Sequence, residues 1–135
     1  MPDDCIFCKI LEGELPSARI YEDEHTIAFL DINPWTRGHS LVVPRNHSRD
    51  LLDASDEDLA HVIAASKRVA GLLRDKLSAD GINLLNSCGE AAWQTVFHLH
   101  MHVIPRYVDD PLRLPGRPQQ TDPEELAELA EEIRA

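Results

Sequence analysis

Positive charge is scarce in this chain. Lys and Arg number 13 against 24 Asp and Glu, leaving a formal net charge of −11 at pH 7. That balance argues against general binding to DNA or RNA, whose affinity comes largely from neutralising phosphates with cationic side chains. A small phosphate-bearing ligand stays open, because a local pocket can be positive inside an acidic protein. No apolar run reaches the roughly 18 residues of a membrane span, so no membrane partner is expected. The opening "MPDDCIFCKI" lacks the basic and apolar regions of a signal peptide, and a cytoplasmic location is expected. Cysteines are three, an odd number that does not suggest a disulfide framework. Internal repeats and low-complexity tracts are absent. The 135 residues suit one domain, 1–135.

Histidine, by contrast, is concentrated. Three of the seven fall in "HLHMHV", residues 98–103, at alternate positions. In a strand, successive side chains point to opposite faces. His98, His100 and His102 then share one face, and Leu99, Met101 and Val103 the other. The second is a plain core face. The first needs a polar purpose. Convergence of all three on one metal is disfavoured, because i to i+4 spans roughly 13 Å along a strand and a histidine nitrogen binds zinc at about 2.0–2.1 Å.

The flanking pattern predicts an α+β domain with mostly antiparallel sheet and helices to one side. "CIFCKILEGELP" reads as a short helix or turn. "ARIYEDEHTIAFLDI" reads as a hairpin, with β-formers on both sides of a polar "EDEH". "HSLVVPR", "INLLNS" and "VFHLHMHVIPRY" read as further strands, and "NPWTRG" and "CGEAAWQT" as loops. One long helix runs through "SDEDLAHVIAASKRVAGLLRDKLSADG", with Ser55 as N-cap, Asp58 at the capping-box position and Gly81 past its end. Its apolar stripe is Leu59, Val62, Ile63, Val69, Leu72, Leu73 and Leu77. Residues 108–135 read as a Pro-rich connector and an acidic C-terminal helix. "TDPEELAELAEEIRA" holds six acids and one arginine, the pattern of a solvated helix face.

Cys5 and Cys8 form C-x-x-C too near the start for a preceding strand, so a thioredoxin-like motif is excluded. They are either two unbound thiols or half of a closed zinc site, with His47 and His98 as the histidine ligands. Cys88 reads as an ordinary thiol.

At this point the chain resembles the histidine-triad (HIT) family of nucleotide-binding hydrolases and transferases. The family signature is His-φ-His-φ-His-φ-φ with φ apolar, and "HLHMHVI" fits all seven positions. The resemblance also covers "CIFCKI", "LPSARIYEDE", "AFLDINPWTRGHSLVVPRNH" and "NSCGEAAWQTVFHLHMHVIPR". It implies a HIT-like fold of about five antiparallel strands, one long helix and short terminal helices, with the sheet extended across a homodimer. It implies a purine nucleotide phosphoramidase or hydrolase that releases a nucleoside monophosphate through a nucleotidyl-histidine intermediate, with AMP, GMP or an adenylated compound as its nucleotide partner. Dinucleoside polyphosphate hydrolysis, or a nucleotide-binding regulatory dimer with incidental hydrolysis, are the alternatives.

The resemblance also distributes roles. His100 is the nucleophile, His102 faces the phosphate or leaving group, His98 clamps the strand and His39 supports the triad. Gln94 and Thr95 bond phosphate or leaving group, and Asn86 lies near the phosphate. Asp31 holds the ribose hydroxyls, while Ile20, Phe29 and Ile32 wall the purine. Some members carry a structural zinc, whose ligands correspond to Cys5, Cys8, His47 and His98. The sequence departs from the pattern at Trp93, where many members have a small residue, often Gly. A bulky indole there narrows the leaving-group side or changes its loop.

Overall fold

The computed structural model describes residues 4–135. Five strands form one antiparallel sheet in the order β1-β2-β3-β5-β4. They are β1 (Arg19–Glu22), β2 (Thr26–Leu30), β3 (Ser40–Pro44), β4 (Gly81–Leu85) and β5 (Met101–Arg106). The hairpin β1–β2 turns at Asp23, whose Oδ1 accepts from the backbone N–H groups of His25 and Thr26 at 2.8 Å each. Its strands are short and largely apolar, and β2 and β3 are buried almost throughout.

The long helix α2 (Asp56–Leu77) lies across one face of the sheet. Ser55 caps it, its hydroxyl accepting from Asp58 N at 3.1 Å. Gly81 opens β4 instead of closing the helix, because Ser78 already takes the left-handed conformation at φ 57°. The buried stripe is also narrower than the sequence pattern. Val62, Ala65, Ser66, Val69 and Leu73 face the sheet, whereas Ile63 and Leu72 stand at the edge, 49% and 37% exposed. With Ala28, Val42, Leu99 and Val103 they form the core on this side.

The opposite face carries a second core of Ile27, Phe29, Leu41 and Val43. It is closed by the short helix α1 (Ile6–Leu11), which brings Cys5, Phe7 and Cys8 onto the sheet. The split follows the two-residue period of strands: alternate residues of β2 and β3 serve alternate cores. Histidines and cysteines therefore gather on the α1 face.

The loop between β2 and β3 is folded tightly against this framework. Thr36 Oγ1 donates to Pro105 O at 2.7 Å, and Tyr107 Oη donates to Arg37 O at 2.6 Å. Gly38, at φ +93°, lies against the end of α2. A Cβ there would stand 2.5 Å from Leu77 Cδ1, so only glycine fits this turn without strain.

Helix α3 (Pro123–Arg134) buries no residue, matching the solvated acidic face read from its sequence. Among the described residues no helix is long and apolar enough to cross a membrane.

Candidate active site

The alternation of the histidine row survives in three dimensions. Leu99, Met101 and Val103 pack into the α2-side core, and the three histidines take the other face. The regular strand, however, starts only at Met101. Residues 96–98 bend away from the ladder, where Leu99 N donates to Ser48 O at 2.8 Å in place of a strand partner. The bend carries His98 off the sheet toward α1.

His98 thereby meets Cys5, Cys8 and His47. His98 Nδ1 lies 3.4 Å from Cys5 Sγ, 3.5 Å from Cys8 Sγ and 3.1 Å from His47 Nδ1, and Cys8 Sγ lies 3.4 Å from His47 Nδ1. Tetrahedral zinc with ordinary bond lengths sets its ligands roughly 3.6 Å apart for sulfur and nitrogen and roughly 3.3 Å apart for two nitrogens. These four of the six donor separations thus match the edges of such a tetrahedron, and all four donors lie within 4.8 Å of one another. The tautomer is prepared too. Pro44 O can only accept, so the 2.9 Å bond from His98 Nε2 places the ring proton there and leaves Nδ1 as a bare lone pair. Burial and the neighbouring Cys5 push the Cys8 thiol up to about 12 in the absence of a cation. Burial pulls His98 down to about 4, which keeps it neutral.

His100 uses the same logic in the opposite sense. Its Nδ1 donates to His98 O at 2.8 Å, so Nε2 carries the lone pair. Phe7 stands edge-on to its ring, with centroids 5.0 Å apart. Burial lowers its pKa, against the pull of the His98 carbonyl and Asp31. His100 is therefore a neutral imidazole with a free Nε2 at pH 7.

A second histidine pair completes the arrangement. Trp35 N donates to His39 Nδ1 at 3.0 Å, so the His39 proton sits on Nε2, which lies 2.9 Å from His102 Nδ1. His102 accepts that bond and keeps its own proton on Nε2. Asp31 Oδ2 is 3.6 Å from His39 Nε2. Burial, then the neighbouring His100 and His39, pull His102 down to about 4. Burial lowers His39 as well, with Asp31 opposing. Three adjoining rings are thus held neutral and in defined tautomers.

A cavity of about 380 Å³ opens beside them. Among the residues named from the sequence, it brings together Phe29, Asp31, Ile32, Thr95, His100 and His102. Asp31 Oδ1 accepts from Asn33 N at 2.8 Å and holds the loop entry. Three expected contacts lie elsewhere. Ile20 packs into the α2-side core, because the irregularity in β1 between Arg19 and Tyr21 turns it to that face. Gln94 is buried and saturated. Its Oε1 accepts from Gly89 N at 2.8 Å and its Nε2 donates to Arg49 O and Val96 O at 2.8 and 3.0 Å, so it braces the loop and has no free donor for phosphate. Asn86 Nδ2 donates to His100 O at 2.9 Å and so holds the His100 backbone, while its Oδ1 is buried without a protein partner. Sequence reading missed Ile6, Phe7, Leu15 and Pro16 as cavity walls, and Trp35 as the neighbour of His102. Only "CIFC" hinted at Phe7, by placing it between two candidate ligands.

The comparisons agree with this geometry. Residues 12–109 match the HIT domain model, and the chain belongs to that family. It is 49% identical over 105 residues to protein hit of Bacillus subtilis, covering 78% of this chain and 72% of that one. It is 38% identical over 132 residues to adenosine 5'-monophosphoramidase HNT1 of Saccharomyces cerevisiae, covering 97% and 81%. The crystal structure of a Zn-bound histidine triad family protein from Mycobacterium smegmatis superposes with a TM-score of 0.78 at 43% identity, covering 96% of this chain and 97% of that one.

Proposed function

We propose that this protein is a nucleotide phosphoramidase or hydrolase that releases a purine nucleoside monophosphate through a nucleotidyl-histidine intermediate. The observation that carries the reading is the His100 ring. Its Nδ1 proton is tied to a carbonyl and its Nε2 is free beside a cavity that also holds Asp31. Neutral imidazole is a good nucleophile near pH 7 and leaves phosphorus readily. The similarity to a yeast adenosine 5'-monophosphoramidase supports the substrate class.

In this reading the purine lies among Phe29, Ile32 and the α1 side chains, and Asp31 accepts from the ribose hydroxyls. His100 Nε2 attacks the α-phosphorus. A phosphorus–nitrogen bond to the imidazole forms as the bond to the leaving group breaks. His102 Nε2–H hydrogen-bonds the departing atom, which takes its proton from water. Water then attacks the same phosphorus, releases a proton to solvent and frees His100 and the monophosphate. Thr95 faces the phosphate. The test is turnover of adenosine phosphoramidate, adenylated amines and diadenosine polyphosphates, compared by kcat/KM. Absence of turnover of all three classes overturns the proposal and leaves a nucleotide-binding protein.

Cys5, Cys8, His47 and His98 would hold a structural zinc, since their donor set and spacing fit one. Four protein ligands leave no open position for activating water, so the ion would supply rigidity and not catalysis. It would tie α1, and with it Phe7, to the histidine strand.

A homodimer is part of the same reading. The two edges of the sheet differ. β1 carries the Arg19–Glu22 ion pair at 2.8 Å, a charged edge of the kind that resists pairing. β4 reads Gly-Ile-Asn-Leu-Leu, pairs only with β5 and leaves Leu84 42% exposed. Pairing of two β4 strands would continue the sheet across the dimer. A monomeric mass by light scattering at micromolar concentration would contradict it. A cytoplasmic setting suits the three free thiols.

A further inference from the structure

We propose that Trp35 is a positioning residue for His102, its indole holding the plane of the imidazole at the cavity wall. The inference rests on the phosphoramidase or hydrolase reading above and deepens it.

A single hydrogen bond fixes one atom of a ring and leaves the ring free to tilt about it. His102 Nδ1 accepts from His39 Nε2 at 2.9 Å, and among the described residues that is the only hydrogen bond of the His102 side chain. The bond sets the tautomer but not the plane. The Trp35 indole lies parallel to the His102 ring, with an interplanar angle of 7° and centroids 5.9 Å apart. That separation falls in the range where aromatic pairs attract as offset stacks. His39 and His100 meet the same ring at 50° and 63°, each with centroids 5.1 Å away. Trp35 is thus the parallel neighbour of the three, and a tilt of the imidazole breaks its contact first.

The loop itself does not depend on this indole. Its turn is held by His39 N on Thr36 O at 3.1 Å, Thr36 Oγ1 on Pro105 O at 2.7 Å and Tyr107 Oη on Arg37 O at 2.6 Å. Trp35 adds its backbone N–H to His39 Nδ1 at 3.0 Å, and any residue except proline supplies that bond. The indole belongs to neither hydrophobic core. Its aromatic partners are His39, with centroids 5.2 Å apart at 57°, and His102. What the tryptophan side chain contributes is a flat cover over the histidine pair. Such a cover also keeps water from competing for the bond between the two rings. One position therefore acts twice on His102. The backbone of residue 35 sets its tautomer through His39, and the side chain sets its plane.

The experiment uses the full chain with Trp35→Leu, which keeps apolar bulk and the backbone N–H, and Trp35→Phe, which keeps a flat ring. Adenosine phosphoramidate is the substrate. Trp35→Leu is expected to lower kcat by about threefold to tenfold, the worth of one aromatic pair, with KM within about twofold of wild type. Trp35→Phe is expected to recover most of the loss. A second readout needs no turnover. In NMR of protein isotope-labelled at the histidine nitrogens, the ring current of the indole displaces the His102 ring C–H signals. Trp35→Leu should move those signals, while the nitrogen shifts still report the Nε2–H tautomer.

Unchanged kcat in Trp35→Leu, or a change confined to KM, overturns the proposal. Equal losses in both variants make Trp35 a structural residue and overturn it too. His102 signals that ignore Trp35→Leu overturn the stack and leave the enzyme reading intact. No turnover in the wild type, with His102 signals that respond as described, overturns the enzyme reading and keeps the positioning of His102 by Trp35.

Discussion

His39 Nε2 sits 2.9 Å from His102 Nδ1, and the proton between them belongs to His39, because Trp35 N–H already occupies the other nitrogen of that ring. One backbone amide in a loop thus sets the tautomer of two histidines in series. Replacing His39 with Ala frees the His102 ring to turn or to take the wrong tautomer. The expected outcome is a fall in kcat of up to about a hundredfold with little change in KM. His39→Gln, which keeps an N–H donor, recovers part of the loss. Equal losses in both variants, or a change confined to KM, would count against a positioning role.

His100→Ala is expected to lower kcat by roughly three orders of magnitude or more, while AMP still binds. In the proposed mechanism His100 supplies the covalent route, whereas Asp31 and the apolar walls supply affinity. Stopped-flow turnover and calorimetric titration with AMP, on the same preparation, separate the two. Near-wild-type turnover rules out the nucleotidyl-histidine mechanism.

The pH dependence follows from burial. His102 is pulled down to about 4, and His39 and His100 are also lowered. A histidine whose folded pKa lies below its unfolded value favours folding as the neutral form. Its contribution is complete above a pH of about 6.5 and is lost as pH falls toward the folded pKa. Thermal stability should therefore begin to decline below about 6.5, whereas kcat/KM should stay level to about 6 and decline as pH falls toward about 4. An acid limb in kcat/KM centred at or above the ordinary histidine value would show that the rings are not held neutral as described.

Metal analysis of protein purified without chelator or a His-tag should give one zinc per chain. Chelation, or Cys5→Ser, should lower the melting temperature first. Activity should fall only as the His98 segment shifts, because the Cys5–His98 and Cys8–His98 contacts at 3.4 and 3.5 Å link the α1 segment to the bend before β5. Metal-free protein whose stability is indifferent to Cys5→Ser would leave Cys5 and Cys8 as plain thiols.

Gly38→Ala tests the loop that carries Trp35 and His39. The new Cβ meets Leu77 Cδ1 at 2.5 Å, with Leu73 and Pro105 at 3.3 Å, on a backbone at φ +93°. A loss of about 1–3 kcal/mol in urea unfolding is expected, together with reduced turnover. Unchanged values would mean that the loop relaxes without disturbing His39.

What could be read from the sequence was what depends on near neighbours. The two-residue period of "HLHMHV" assigns its histidines to one face with no knowledge of the rest of the chain, and the structure keeps that assignment. The Ser55 cap and the strand that ends at Pro44 are local in the same way, since each is set by backbone geometry within a few residues. Tertiary structure decided the rest. His98 reaches Cys5 across 93 positions of sequence, and only the bend at residues 96–98 makes that meeting possible. Gln94 carries the side chain expected of a phosphate ligand, yet its three bonds to backbone groups from Arg49 to Val96 engage it in the loop. Ile20 was directed away from the cavity by an irregularity in β1 that no residue type announces. Local chemistry says what a side chain is able to do. Which partner it meets depends on chain segments far away, and their packing leaves little trace in the residues beside it.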